Sequence, residues 1–127
     1  MTMRASLFLL LVSTLAVSAA PRFTQPDAAR HPNVFTWTDT CNVHIVRDGD
    51  AALLIDLGDG SVLDHLGEIG VKRVEWVLFT HHHREQCQGA PKLNGSATKL
   101  AAPEAERALF ENPASFRKMN EIGRAHV

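Results

Sequence analysis

The apolar and polar positions of the chain alternate in a way that predicts a hairpin first. Val43–Val46 and Ala51–Asp56 are short apolar runs with β-branched residues, and Arg47–Asp50 joins them. The Asp-Gly dipeptide inside that link favours a type I′ turn, because this turn requires positive φ angles. Two antiparallel strands are therefore expected at the start of the folded region.

A helix is predicted directly after the hairpin. Ser61 begins an S-x-x-D sequence and is the expected N-cap. Val62, Leu66 and Ile69 then recur at helical spacing, and Gly70 is suited to end the helix. This apolar stripe is expected to pack on the sheet.

A second apolar run, Val74–Thr80, is rich in β-branched and aromatic residues and predicts a strand buried on both faces. Lys99–Ala102 predicts a further strand, and Pro103 suits the first position of a helix over Glu104–Glu111. Strands that alternate with helices in this way indicate an α/β layered sheet. Trp37 and Trp76 are expected to be core residues.

Composition narrows the class of protein. The chain has 127 residues, a net charge of −1 and an isoelectric point of about 6.6. This length suits one modest domain. A nearly neutral chain has no electrostatic attraction for nucleic acid, so no nucleic-acid partner is expected.

The N-terminus has the pattern of a secretory signal peptide over residues 1–19. Arg4 precedes an apolar run from Ala5 to Val17, and small residues follow, with cleavage expected after Ala19. The run is shorter than the roughly 20 residues of a membrane-spanning helix. We therefore expect a secreted or periplasmic protein with no stable membrane insertion, a retained anchor being the alternative. Residues 20–32 are polar and contain proline, which predicts a leader or linker.

Two cysteines, Cys41 and Cys87, leave three interpretations open. An exported protein permits a disulfide between them. Two buried free thiols, or Cys87 as a soft metal ligand, are the alternatives.

Three histidines follow the run Val74–Thr80. Side chains alternate in extended backbone, so His81 and His83 are expected to point one way and His82 the other. A buried strand that ends in imidazoles supplies nitrogen ligands on a rigid support. His81 and His83 are therefore the candidate chelate for a metal.

The sequence Thr80–Gln86, T-H-H-H-R-E-Q, resembles the T-H-x-H-x-D-H motif of the metallo-β-lactamase-fold hydrolases. The resemblance covers about Asn42–Glu111 and includes the upstream Leu54–Gly58, which reads L-I-D-L-G. Glu85 and Gln86 depart from the motif, because the family has Asp and His at these positions.

The resemblance implies a zinc site. His81 and His83 would bind the first metal, and Glu85 would bind a second one and orient the nucleophilic water as the catalytic residue. Glu85 is one methylene longer than the family's Asp, and the Gln86 amide is a weaker zinc ligand than imidazole. A weak or empty second site is expected. Asp56 either supports this site, as in the family, or caps its own turn.

The resemblance also implies a fold, the N-terminal half of an αββα sandwich, over residues 33–120. The C-terminal half of the domain is then a missing partner, and the inner face of the sheet is left uncovered. Residues 121–127, E-I-G-R-A-H-V, resemble one reading frame of a common sequencing adapter. We expect them to be a non-native tail; a natural polar tail is the alternative.

The implied function is an exported zinc-dependent hydrolase with a small-molecule substrate, seen as an incomplete chain that is inactive by itself. The superfamily includes lactamases, thioesterases, lactonases and phosphodiesterases, so the substrate stays open. One alternative is a degenerate, non-catalytic binding or scaffold member of the same fold. Another is a redox or metal-handling module that uses Cys87 with the histidines.

Overall fold

The structure, a computed structural model, describes residues 22–112, and their strands form one mixed sheet of six strands. The strands are Phe23–Thr24 (β1), Val34–Thr38 (β2), Asn42–Asp48 (β3), Ala51–Ile55 (β4), Arg73–Leu78 (β5) and Lys99–Ala101 (β6). They lie in sequence order. β1 to β4 pair antiparallel, whereas β5 is parallel to β4 and β6 is parallel to β5. The parallel half confirms the predicted α/β layering.

Short helical turns make the two crossovers that parallel pairing requires. The first crossover contains the 3₁₀ turns Ser61–Asp64 and Leu66–Ile69, and the second contains the helix Arg84–Cys87 (α1) and the 3₁₀ turn Ala90–Leu93. After β6 come the 3₁₀ turn Glu104–Glu106 and the helix Arg107–Glu111 (α2). The single helix predicted from Ser61 is thus wrong in type, because two 3₁₀ turns stand there. The N-cap is Gly60 rather than Ser61, while Gly70 ends the second turn with φ 78° as predicted.

The β3–β4 hairpin is confirmed, but its turn differs from the predicted type. Asp48 pairs with Ala51, so Gly49 and Asp50 are the two central residues. Gly49 has φ 60°, and Asp50 is not among the residues with positive φ. Positive φ at the first central position alone is the pattern of a type II′ turn, in which glycine comes first.

The core lies on one face of the sheet. Strand residues alternate across the sheet, and the inward set packs under the crossover turns. Its fully buried side chains are Val43, Ile45, Leu54, Leu57, Val62 and Val77. The predicted apolar stripe of the first crossover is confirmed, because Val62 and Leu66 are buried and Ile69 packs against the same cluster.

Strands β1 and β2 extend the sheet beyond the hairpin. Phe35 and Trp37 alternate with threonines along β2, and both are buried. Phe23 of β1 packs on them, with ring centroids 6.5 Å from Phe35 and 5.1 Å from Trp37. The sheet therefore includes part of residues 20–32, for which no element was predicted.

The opposite face of the sheet is uncovered in the part of the chain that the structure describes. Val46, Leu53 and Trp76 lie side by side there, and Val46 and Trp76 are 41% and 37% exposed. The prediction of a strand buried on both faces, and of Trp76 as a core residue, is therefore wrong for these residues. The Lys99 ammonium covers the Trp76 ring at 5.2 Å, a cation–π contact at the surface. One covered and one open face is what half of a sandwich presents.

Within residues 22–112, no helix is both long and apolar enough to cross a membrane. The predicted signal peptide, residues 1–19, and the predicted tail, residues 121–127, lie outside the described residues.

Candidate metal centre

The histidine loop leaves the C-terminal end of β5, at the edge of the sheet where the parallel strands end together. The N–H of Asp56, just after β4, donates to the Leu78 carbonyl at 2.9 Å, and the Phe79 N–H donates to the Ala101 carbonyl at 2.8 Å. The ends of β4, β5 and β6 are thereby joined. Side chains from all three segments can meet around the loop.

Asp56 holds the start of the loop. Asp56 is buried, with 7% of the residue exposed. Its carboxylate accepts hydrogen bonds from the Thr80 N–H and the Thr80 hydroxyl, both at 2.8 Å. Its φ of 61° is uncommon for a residue other than glycine, and Asp is one of the side chains that tolerate it. Asp56 could either support the site or cap its own turn, and these contacts match a residue that supports the site.

The same hydroxyl determines the tautomer of His81. Thr80 Oγ1 lies 2.9 Å from His81 Nδ1. Because its single proton goes to Asp56, the Thr80 oxygen must accept from His81, and Nδ1 carries the proton. The other ring nitrogen, Nε2, is left with its lone pair for a metal. A carboxylate behind a metal-binding histidine orients the ring in this way.

His81 and His83 lie next to each other, and His82 is engaged elsewhere. The ring centroids of His81 and His83 are 4.7 Å apart at an interplanar angle of 78°. His82 donates its Nδ1–H and its backbone N–H to Glu106 Oε2 at 2.9 and 2.7 Å. The loop therefore presents a pair of imidazoles, with the middle ring held against the element that follows β6.

Glu85 and Gln86, the other two predicted ligands, lie on α1 directly after the pair. Glu85 is exposed, and its carbonyl accepts the Thr40 hydroxyl at 2.9 Å. Gln86 holds the loop after β4 through its own carbonyl, which accepts the Leu57 and Gly58 N–H groups at 2.9 and 3.2 Å. Its side-chain Oε1 is buried and has no hydrogen-bond partner within the described residues.

The described part of the chain does not assemble a complete ligand set. Among residues 22–112, no group of three or more His, Cys, Asp and Glu side chains is arranged to hold a metal. His81 and His83 are brought together, and Glu85 does not join them as a third ligand in this arrangement. Zinc in a catalytic site takes three protein ligands. The pair thus fits two of the positions that a zinc ion requires.

Both cysteines are free thiols and only partly buried, so the structure has no disulfide between them. The Cys87 thiol donates to the carbonyls of His83 and His82 at 3.1 and 3.4 Å. Burial raises the pKa of Cys87, and burial together with Asp39 raises the pKa of Cys41 to about 11. Metal binding and redox exchange need a thiolate. Cys87 therefore supports the histidine loop as a neutral donor.

Glu106 is the site residue that sequence reasoning missed. It stands 24 positions from His82, within a predicted helix, and no motif marks it. Hydrogen bonds from the His82 side chain and backbone hold the pKa of the Glu106 carboxyl below its usual range. An ionised acceptor therefore lies beneath the loop at neutral pH.

A mostly apolar groove of about 570 Å³ lies on the His82 side of the loop. Phe79, Leu100 and Phe110 line it together with His82, whereas His81 and His83 do not. The groove is consequently separate from the imidazole pair.

Comparison with known proteins identifies the family. Residues 36–116 match the model of the metallo-β-lactamase superfamily, and the chain belongs to that superfamily. It therefore carries part of a hydrolase fold whose members are metal-dependent, typically with zinc. The resemblance drawn from the histidine motif is confirmed.

Relatives and solved structures agree with this family. The chain is 30% identical over 84 residues to the hydroxyacylglutathione hydrolase of Stenotrophomonas maltophilia (strain R551-3). The matched region covers 63% of this chain and 33% of that protein. The chain thus spans about a third of the length of this curated relative.

Two metallo-β-lactamase structures share its fold. FIM-1 from Pseudomonas aeruginosa in its mono-zinc form is 20% identical with a TM-score of 0.54, over 68% of this chain and 43% of that one. A Cronobacter sakazakii enzyme with a HARLDQ motif is 20% identical with a TM-score of 0.53, over 61% and 31%.

Proposed function

We propose that this chain is the histidine-bearing N-terminal part of an exported, zinc-dependent hydrolase that acts on a small-molecule substrate. The observation that carries the proposal is the arrangement of His81, whose Nδ1 is occupied by Thr80 while its ring lies 4.7 Å from that of His83. Two adjacent imidazoles, one with a defined free nitrogen, are what a zinc ion binds.

The donor set fits zinc. His81 would bind through Nε2 and His83 through a ring nitrogen, both being borderline ligands that zinc prefers. A bound zinc ion lowers the pKa of its water to near 7 and supplies hydroxide at neutral pH. Asp56 acts through the Thr80 hydroxyl to fix the His81 ring, and such outer contacts also raise the basicity of the ligand.

Glu85 is the residue we propose to orient the attacking water and to accept its proton. It is the nearest carboxylate after the pair in sequence, on the exposed side of α1. Its longer side chain has to swing towards the histidines, because it does not form a three-residue group with them within the described residues.

Gln86 supports a site with one zinc ion. When the HARLDQ motif of the Cronobacter sakazakii enzyme is aligned with His81–Gln86, its final glutamine falls at Gln86. An amide oxygen is a weak zinc ligand beside an imidazole. We propose that His81 and His83 load a single zinc ion, with further ligands from outside the described residues.

Metal binding tests this proposal directly. Co²⁺ added to the chain gives a ligand-field spectrum that reports nitrogen ligation, and Zn²⁺ displaces it. We expect loose binding that His81→Ala and His83→Ala each abolish. His44→Ala is the matched control, because His44 is an exposed residue of β3 whose ring contacts Thr36. Equal binding by all three variants would contradict the proposal.

Catalysis and export need separate measurements. A panel of esters, thioesters and lactams offered to the natural gene product should show hydrolysis that His83→Ala removes. Metal binding without hydrolysis would favour the non-catalytic alternative, and the position of Glu85 supports that alternative.

For export, the mature protein from a secreting bacterium should begin at Ala20. An intact Met1 in the membrane fraction would indicate a retained anchor.

A further inference from the structure

We propose that Glu106 is a positioning residue that clamps His82 through both its backbone and its ring, and thereby aims His81 and His83. The inference rests on the proposed function, since the loop matters for catalysis only if the two flanking histidines bind metal. It adds to that function a residue that lies outside the histidine motif and outside its neighbouring strand.

The contact is made by one carboxylate oxygen. Glu106 Oε2 lies 2.7 Å from the His82 backbone nitrogen and 2.9 Å from His82 Nδ1. The two side chains are only 18% and 28% exposed, so water competes weakly for the bonds. Two donors of one residue on a single acceptor define both the peptide orientation and the χ1 rotamer of His82, and charge-assisted bonds of this kind are stronger than neutral ones.

The fold brings the two residues together. Because β5 and β6 are parallel, the segments that follow them leave the same edge of the sheet. Pro103 precedes the 3₁₀ turn Glu104–Glu106, which places Glu106 under the loop after β5. The clamp therefore links the metal loop after β5 to the segment that follows β6.

The other anchors of the loop act at different atoms from the His82 amide that Glu106 holds. The loop's carbonyls are held from α1, by Cys87 Sγ at His82 and His83 and by the Gln86 N–H at His83 at 3.1 Å. The start of the loop is held by Asp56 through Thr80. Glu106 anchors the middle of the loop from the opposite side. Its loss should allow the peptide between His81 and His82 to rotate.

The test measures the loop and the metal separately. In Glu106→Ala, hydrogen exchange at the His82 amide should become about tenfold faster, because an amide that is released to water exchanges without local opening. Co²⁺ affinity of the full chain should fall by about tenfold, the lower end of what outer-contact losses give in metal sites. Far-UV circular dichroism checks that the sheet is intact.

Two further variants separate position from charge. Glu104→Ala removes the same charge from the same turn, but Glu104 is 84% exposed and pairs with Arg107 rather than with the loop, so both readouts should stay at wild-type values. Glu106→Gln keeps an oxygen that can accept both donors, and it should restore slow exchange and most of the metal affinity. A purely electrostatic role would make Glu106→Gln as defective as Glu106→Ala.

The outcomes distinguish the clamp from the function. If wild-type protein binds no Co²⁺, the proposed function fails, while the exchange rate of the His82 amide still decides the clamp. If metal binds but Glu106→Ala leaves both the exchange rate and the affinity unchanged, the clamp is overturned and the function stands. If Glu106→Ala unfolds, Glu106→Met, which keeps the length of the side chain but has no oxygen to accept the two donors, replaces it in both measurements, and wild-type exchange in that variant overturns the clamp.

Discussion

Gly89 packs directly on the backbone of Gly60. A Cβ added to Gly89 would lie 2.5 Å from the Gly60 nitrogen and 2.6 Å from its Cα. The Gly89 N–H also donates to the Gly58 carbonyl at 2.9 Å. Gly89 follows α1, and Gly60 lies in the loop after β4. The contact therefore fixes the position of α1, which bears Glu85, relative to the loop that begins at Asp56.

Gly89→Ala should destabilise the protein by about 1–3 kcal/mol, the usual cost of overpacking. Its φ of −76° suits alanine, so the effect is purely steric, and the atoms it meets are backbone that cannot rotate away. Urea unfolding measures the difference. Gly67→Ala is the control, because nothing lies within 4 Å of its Cβ position, and it should change stability by no more than about 0.5 kcal/mol. Equal stability of the two variants would argue against the close contact.

Much of the fold was predictable because local signals agree with the final packing. The β3–β4 hairpin has both an apolar pattern and a glycine in its turn. Gly70 ends the second 3₁₀ turn of the β4–β5 crossover as expected. β2 also carries a sequence signal for a strand, since Phe35 and Trp37 alternate with Thr36 and Thr38. The prediction of Trp76 as a core residue fails because composition alone cannot show which face of a strand lacks a covering layer.

Thr80→Val should disturb the tautomer and orientation of the His81 ring without creating a cavity in the protein. Valine has nearly the shape of threonine but cannot accept the His81 Nδ1–H or donate to Asp56. The ring then loses its fixed tautomer, and we expect metal affinity to fall by about tenfold. Imidazole ¹⁵N chemical shifts measure the tautomer independently of metal.

Thr80→Ser is the matched control for this change. It keeps the hydroxyl and should preserve both the Nδ1–H tautomer and the metal affinity. A valine variant whose His81 shifts equal those of the wild type would show that Thr80 does not select the tautomer. Loss of affinity in the serine variant would instead implicate the threonine methyl group in packing.

Stability should decrease in alkaline solution because of Cys41. Burial, with a contribution from Asp39, raises its pKa from 9.0 to about 11 in the folded protein. Between these values the unfolded chain releases the proton and the folded chain retains it, so the free energy of unfolding falls as pH rises from about 9 to 11. Below that window this thiol is protonated in both states and contributes no slope.

The measurement is urea unfolding at several pH values across the window, on the wild type and Cys41→Ala. The variant should show a shallower decline, since lysines and other groups titrate alike in both proteins. Cys87→Ala is a useful second comparison, because burial also raises the pKa of Cys87. Identical slopes in wild type and Cys41→Ala would contradict the assignment.

The candidate site was predictable only where it is local. His81 and His83 follow from strand alternation and the motif, because neighbours in sequence stay neighbours in the fold. Glu106 did not, since its contact with His82 depends on the segments after β5 and β6 leaving the sheet at the same edge. Asp56 was predictable in part. The sequence places it at the end of a strand near the site, but only the structure shows that its carboxylate accepts a hydrogen bond from Thr80.

Gln86→Met should leave the metal-free protein as stable as the wild type, or more stable. The Gln86 Oε1 is buried without a hydrogen-bond partner in the described residues, and a buried unsatisfied acceptor costs about 1–3 kcal/mol. Methionine has a similar length and no such oxygen. The unfolding free energy in the presence of a chelator is the quantity to compare.

Gln88→Met, two residues further along the same segment, is expected to have the opposite effect on stability. The Gln88 amide donates to the Thr40 hydroxyl at 3.0 Å and accepts from Arg84 at 3.3 Å, so its removal should destabilise by about 1 kcal/mol. If Gln86→Met is as costly as Gln88→Met in the presence of chelator, the Gln86 oxygen has a partner in the metal-free protein. A stability loss that appears only when zinc is present would instead make Gln86 a ligand and favour a second zinc position.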